Sequence, residues 1–175
     1  MDEEVSEATV SLFADDTRIK RNIEAEEDTE KLQHELNKLY DWQKRSNMNF
    51  NDDKFEVIKY GNNRNLKEDT LYFTPEYANI IERKETVRDL GVMLDEDLTF
   101  KSHLDKIHKT VTMKIGWTLR SFHSRDSTIM KTIWKSLIQP YLDYGSPLWF
   151  SPNNQGEINQ LEKLQRKFTK KIKGK

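Results

Sequence analysis

The chain has 175 residues, a formal net charge of −1, 35% hydrophobic and 34% charged residues, and no cysteine. That length suits one ordinary domain or two lobes sharing a core, and four tryptophans argue against a disordered chain. Without cysteine there is no disulfide framework and no thiolate zinc site; the Met-Asp-Glu-Glu start has no secretory pattern, and no run approaches the roughly 20 apolar residues of a membrane helix. An intracellular, non-secreted chain with no membrane partner is expected, the nucleus among the options. The near-zero charge hides a gradient. Residues 1–30 hold 11 acids against 3 bases, residues 31–98 hold 14 against 11, and residues 99–175 hold 5 against 15. A basic lobe is the electrostatic footprint of binding to a phosphate backbone; a lysine-rich solvated helical surface is the alternative.

Val5–Phe13 alternates as a strand does, and Arg18-Ile19-Lys20 suits its return, which makes Ala14-Asp15-Asp16-Thr17 a hairpin tip. Asp28-Thr29 are good cap residues for a helix in which Leu32, Leu36, Leu39 and Tyr40 form one apolar stripe. Phe55–Tyr60 reads as a short strand ending in the turn signal Gly61-Asn62-Asn63. Leu71–Phe73 and Tyr77–Ile81 flank Thr74-Pro75-Glu76 as a hairpin, and Thr86–Leu94 reads as one further strand with Gly91 at a bulge or a close backbone approach. Beyond Leu98 the period becomes helical. Leu104, Ile107, Val111, Ile115 and Leu119 mark a long helix from about Thr99 to Ser121, Ile129 to Ile138 a second that runs into Pro140, and Ile158, Leu161, Leu164 and Phe168 a third. The expectation is an α+β lobe over 1–98, an antiparallel sheet with a packed helix, followed by an all-helical basic lobe over 99–175.

The adjacent carboxylates Asp15 and Asp16 follow an apolar run whose side chains look buried. Two acids at a strand-turn tip are a hard oxygen-ligand set suited to Mg²⁺ or Mn²⁺, and bound cations relieve their mutual repulsion. A solvent-exposed acidic turn is the ordinary alternative.

The context of the pair carries a resemblance. Phe13-Ala14-Asp15-Asp16-Thr17 on a strand-turn-strand is similar to the catalytic motif of reverse transcriptases, in particular those of non-LTR, LINE-like retrotransposons. Three further segments follow in that family's order: "NFNDDKFEVIKYG" with Asn51 and Lys54, "LGVMLDEDLTFKSHLDKI" from Leu90 to Ile107, and "LIQPYLDYGSPLW" ending at Trp149. Any one is weak; the ordered set is specific.

The resemblance implies a partial polymerase palm followed by a thumb-like lobe, with an RNA template, a DNA primer and a deoxynucleotide as partners. It makes Asp15 and Asp16 the metal-binding catalytic acids, with Asp15 the direct ligand. It places Lys54 near the incoming nucleotide's phosphates, and Leu90, Gly91 and Val92 in a primer-grip hairpin. On the thumb helix, Lys101, Lys106, Lys109 and Lys114 would follow the nucleic-acid backbone. His103 is expected to be a structural histidine, and Trp134, Tyr144 and Trp149 core residues of the helical lobe. Phe13 stands where the family usually has Tyr, and Phe55 where a small hydroxyl residue is common. The family's fingers and an earlier palm strand with another essential Asp precede the paired acids by many residues, whereas twelve residues precede Phe13 here. The chain is therefore expected to be the back half of such a polymerase and not to polymerise DNA alone; a non-catalytic nucleic-acid-binding remnant is the alternative.

Overall fold

The structure is a computed structural model describing residues 9–14, 16–47, 49–61, 71–75, 78–151 and 155–172. It is mixed α+β, as the sequence predicts, and divides into two compact units, Met1–Lys84 and Glu85–Lys175.

In the first unit, β1 (Thr9–Phe13) and β2 (Asp16–Lys20) form the expected antiparallel hairpin, with Phe13 opposite Asp16 and Thr9 opposite Lys20. The apolar side chains before the acids are not buried: Leu12 is 67% exposed and Phe13 65%. Ser11 and Arg18, opposite one another, are half-buried instead, and Ile19 packs on the unit's core.

Helix α1 (Glu26–Ser46) begins before the expected cap. Ala25 is its N-cap, and Asp28 in its first turn accepts hydrogen bonds from the Glu24 and Ala25 N–H groups, both at 3.1 Å. Those N–H groups hold the Asp28 carboxyl down at about 2. Asn47 closes the helix in the left-handed conformation and donates its N–H to the Gln43 carbonyl. Leu36 and Tyr40 bury one face of α1 against Ile81, with Phe50, Phe55, Val57 and Tyr72 around them.

The remaining strands of this unit are shorter than expected. The Phe55–Tyr60 segment contributes only β3 (Glu56–Val57), which pairs with β4 (Glu82–Arg83) in parallel, so the pairing is not antiparallel throughout. The expected hairpin around Pro75 is a single antiparallel bridge between Phe73 and Ile80; Glu76 and Tyr77 lie outside the described residues. Gln33 of α1 substitutes for a neighbouring strand: its amide donates to the Phe73 carbonyl and accepts the Phe73 N–H, both at 2.9 Å.

The second unit starts at a hairpin. The segment expected as one strand is two, β5 (Thr86–Asp89) and β6 (Val92–Asp95), antiparallel with Asp89 opposite Val92. Leu90 and Gly91 form the turn with φ of 44° and 89°, the two positive values that a tight two-residue hairpin requires. Then come α2 (Lys101–Ser121), α3 (Ser127–Ile133), a π-helical turn over Trp134–Ile138, α4 (Gln139–Asp143), α5 (Ser146–Trp149) and α6 (Gln155–Thr169). The π turn precedes Pro140, whose missing N–H and bulky ring preclude a regular α-helical turn there. Ahead of it, Gln139 donates to the carbonyl of Trp134, five residues back. The core joins Leu104, Ile107, Val111 and Ile115 of α2 to Met130, Ile133 and Ile138, to Trp149, and to Leu164 and Phe168 of α6. The hairpin thus groups with the helices in the unit Glu85–Lys175.

Candidate nucleic-acid interface

The two units carry opposite charge. Met1–Lys84 holds 20 acids against 13 bases, a net of −7; Glu85–Lys175 holds 10 against 16, a net of +6.

In the acidic unit, Asp16 opens β2 directly across from Phe13; it is exposed and has no ion-pair partner among the described residues. Ala14 in the turn before it has a φ of 53°, and Asp15 lies outside the described residues. A free carboxylate at a hairpin tip is a hard oxygen donor of the kind a divalent cation takes. Among the described residues no group of three or more His, Asp or Glu side chains is placed to hold a metal ion.

Lys54 ends a 3₁₀ turn over Asp52–Lys54 and is exposed. Asn51, the other fixed residue of that motif, caps the turn: its side chain accepts the Asp53 N–H at 3.1 Å. Tyr40 pins the turn to α1 by donating to the Asp52 carboxylate at 2.6 Å. The recess beside it, about 530 Å³, is lined by Gln43, Asn49, Phe50, Asn51, Asp52, Asp53 and Asn79; Lys54 is not part of that lining. Two carboxylates and four amides make it unfit for a phosphate.

In the basic unit, the "LGV…H" and "YG…LW" motifs meet. The Tyr144 hydroxyl donates to the Leu90 carbonyl at 2.6 Å, and the Tyr144 ring lies over Gly91. Gly145 lies against Val92 in turn, and the indole N–H of Trp149 donates to the Tyr144 carbonyl at 2.9 Å. Trp149 is buried as expected and Trp134 packs on Phe168 with ring centroids 5.2 Å apart, but Tyr144 is 57% exposed and is not a core residue. Its carbonyl and hydroxyl are each engaged, so its place is set by hydrogen bonds rather than by burial.

His103 is buried and structural. Its Nδ1 accepts the Met93 N–H at 3.3 Å and its ring meets Trp149 edge-on. Burial, with the Lys106 ammonium nearby, pushes its pKa below the usual histidine value against the opposing pull of Asp95, which keeps the ring neutral and able to accept. Asp95 ties the hairpin to the start of α2: it accepts the Thr86 hydroxyl at 2.8 Å and the Ser102 N–H at 3.0 Å. Burial raises its pKa, but the hydrogen bonds from Ser102, Thr86 and Lys101 outweigh that and hold the carboxyl below its usual value.

The lysines singled out on α2 do not share one face. Lys101 is the first residue of the helix, and the half-buried Lys114 sits over the Tyr141 ring at 4.9 Å. Lys106 and Lys109 do lie together, and the spacings of 3, 4, 4 and 3 continue their row through Met113 and Trp117 to Arg120. Met113 is 69% exposed and Trp117 52%. Sequence reasoning passed over Trp117, Met113 and Arg120, although the helical period of the lysines contained them. An exposed row of three cations around an aromatic and a thioether can meet phosphates at its charged positions and sugar or base faces at its apolar ones. No described helix is long and apolar enough to cross a membrane.

Comparison with known proteins accords with these features. No protein-family model and no solved structure matches the chain. It is 24% identical over 99% of its length to the "RNA-directed DNA polymerase from mobile element jockey" of Drosophila melanogaster. It is 25% identical over 94% of its length to the "Probable RNA-directed DNA polymerase from transposon X-element" of the same species. To the jockey polymerase of Drosophila funebris it is 24% identical over 96%. The chain spans 18–19% of the length of these curated relatives. Over nearly its whole length, therefore, this chain is similar to one segment of RNA-directed DNA polymerases from Drosophila mobile elements.

Proposed function

We propose that the chain is a palm-and-thumb segment of a retrotransposon reverse transcriptase. In the longer polypeptide it takes part in RNA-templated DNA synthesis on a DNA primer. The observation that carries this is the similarity of 94–99% of the chain to such polymerases. Asp15 and Asp16 are the residues that would hold Mg²⁺ or Mn²⁺; the ions, when bound, activate the primer hydroxyl and stabilise the departing pyrophosphate. Lys54, exposed on its turn, is available to a nucleotide phosphate. Leu90 and Gly91, with Val92 buried behind them, meet the primer strand, and Lys106 and Lys109, now with Arg120, face the backbone, with Lys101 at the start of α2 and Lys114 against Tyr141 standing apart from that row. These 175 residues contain only the Asp15–Asp16 pair of the palm acids, so the polypeptide tested by itself is expected to incorporate no nucleotide. Primer extension with Mg²⁺ or Mn²⁺ checks this, and metal-dependent incorporation that Asp15→Asn abolishes would overturn it.

A second reading, a non-catalytic nucleic-acid-binding remnant, is favoured by the net charge of +6 on Glu85–Lys175. Both readings expect salt-dependent binding to an RNA–DNA hybrid. They part on Asp15→Asn in a full-length polymerase context, which abolishes synthesis under the first and has no activity to abolish under the second.

A further inference from the structure

The Leu90–Gly91 turn is held by side chains that a β-hairpin does not need. Tyr144 donates to the Leu90 carbonyl at 2.6 Å across 54 residues of sequence. A Cβ placed on Gly91 would meet the ring at Cε1 (3.4 Å), the hydroxyl oxygen (3.6 Å) and Cζ (3.8 Å). The Lys106 ammonium donates to the Gly91 carbonyl at 3.4 Å. Tyr144 is 57% exposed, and a phenol so exposed can satisfy itself with water. Its commitment to one carbonyl therefore fixes something other than the core.

What it fixes is a peptide plane. The Leu90–Gly91 peptide is trans, so its carbonyl and its N–H point to opposite sides. Holding the Leu90 oxygen toward the phenol turns the Gly91 N–H away from it. That N–H has no hydrogen-bond partner among the described residues.

We propose that Tyr144 is a positioning residue: it aims the Gly91 N–H as a backbone donor to a phosphate oxygen of a nucleic-acid strand, beside the Lys106 ammonium. The proposal rests on the nucleic-acid-binding function proposed for the basic unit and adds to it the group that orients the turn.

The test uses the full chain, ¹⁵N-labelled, titrated with a short RNA–DNA hybrid duplex. Tyr144→Phe keeps the ring on Gly91 and removes the donor. In the wild-type chain the Gly91 amide resonance is expected to move downfield as duplex is added. In Tyr144→Phe that movement is lost and the apparent Kd rises roughly tenfold to a hundredfold, the worth of one hydrogen bond to a charged acceptor. The slope of log Kd against log salt stays unchanged, because no charge is removed. Lys109→Ala supplies the contrast by lowering that slope. A Tyr144→Phe variant that melts earlier but keeps its Kd and its Gly91 shift would reduce Tyr144 to a structural role and overturn the proposal. So would wild-type binding that leaves the Gly91 resonance in place, although the basic unit would then still bind nucleic acid. A wild-type chain showing no salt-dependent binding would remove the nucleic-acid function itself, and this proposal with it.

Discussion

Gly91 and Gly145 stand at φ of +89° and +64°, and they come from two motifs that meet only in the fold. An L side chain in that conformation costs roughly 1–2 kcal/mol. At Gly91 a Cβ would lie 3.4 Å from Tyr144, an ordinary contact, so Gly91→Ala is expected to lose about that strain and no more. At Gly145 the Cβ would come within 3.3 Å of Cγ2 of the buried Val92, which must then shift. Gly145→Ala should therefore cost more, roughly 2–3 kcal/mol. Urea denaturation of both variants gives the order, and equal losses would mean that Val92 yields freely. The sequence made Gly91 legible as a place of close approach. It did not identify the approaching group, because Tyr144 is an aromatic beside an apolar run and looks like core. Its exposure and its hydroxyl bond to a carbonyl 54 residues away distinguish it.

At the scale of elements, the hairpin and α2 are joined by two groups whose charge depends on pH. His103 is held neutral, with its pKa below the ordinary 6.5; Asp95 is held ionised, with its pKa below the ordinary 3.8. As pH falls below about 6.5 the unfolded chain takes up a proton that folded His103 resists, so stability declines. Protonated Nδ1 could no longer accept the Met93 N–H. The contribution of Asp95 persists in full above 3.8 and is lost only as pH falls through its lowered folded value. Stability should therefore begin to fall below 6.5 and fall again below 3.8. His103→Asn, which offers an oxygen near the Nδ1 position, should flatten the first decline whatever its effect on overall stability. Denaturation midpoints from pH 7.5 to 5 test this, and a decline of unchanged size in His103→Asn would assign it to other groups. The long helices were legible because fifteen or more residues repeat one period. The Thr86–Asp95 hairpin was not, since Leu-Gly lacks the Asn-Gly or Asp-Gly signal of a two-residue turn. The parallel pairing of Glu56–Val57 with Glu82–Arg83 joins two-residue strands too short to show any period.

For the whole molecule, the decisive facts are two cores and two opposite charges. Leu36, Tyr40 and Ile81 centre one core; the α2, α3 and α6 side chains centre the other. Trp42 alone among the tryptophans lies in Met1–Lys84, while Trp117, Trp134 and Trp149 lie in Glu85–Lys175. Tryptophan fluorescence therefore reports mainly on the basic unit, and far-ultraviolet circular dichroism on both. A duplex that binds the folded basic unit and not its unfolded form stabilises it by about 2.7 kcal/mol at a hundred times its Kd. In a unit of this size that is a rise in melting temperature of about 10 °C or more. With a hybrid duplex whose own strands separate at higher temperature, the fluorescence transition should move up while the Tyr40-centred core melts where it did before. Added salt should then erase the shift, since counterion release drives the binding. The charge gradient that predicts this was visible in the residue counts, but its edge was not. Residues 85–98 sit inside the basic unit with five acids, Glu85, Asp89, Asp95, Glu96 and Asp97, against one base, Arg88, and reduce its charge from the +10 of residues 99–175 to +6. A duplex that raised both transitions equally would show that the acidic unit shares the binding energy, and the assignment of the interface to α2 would have to be given up.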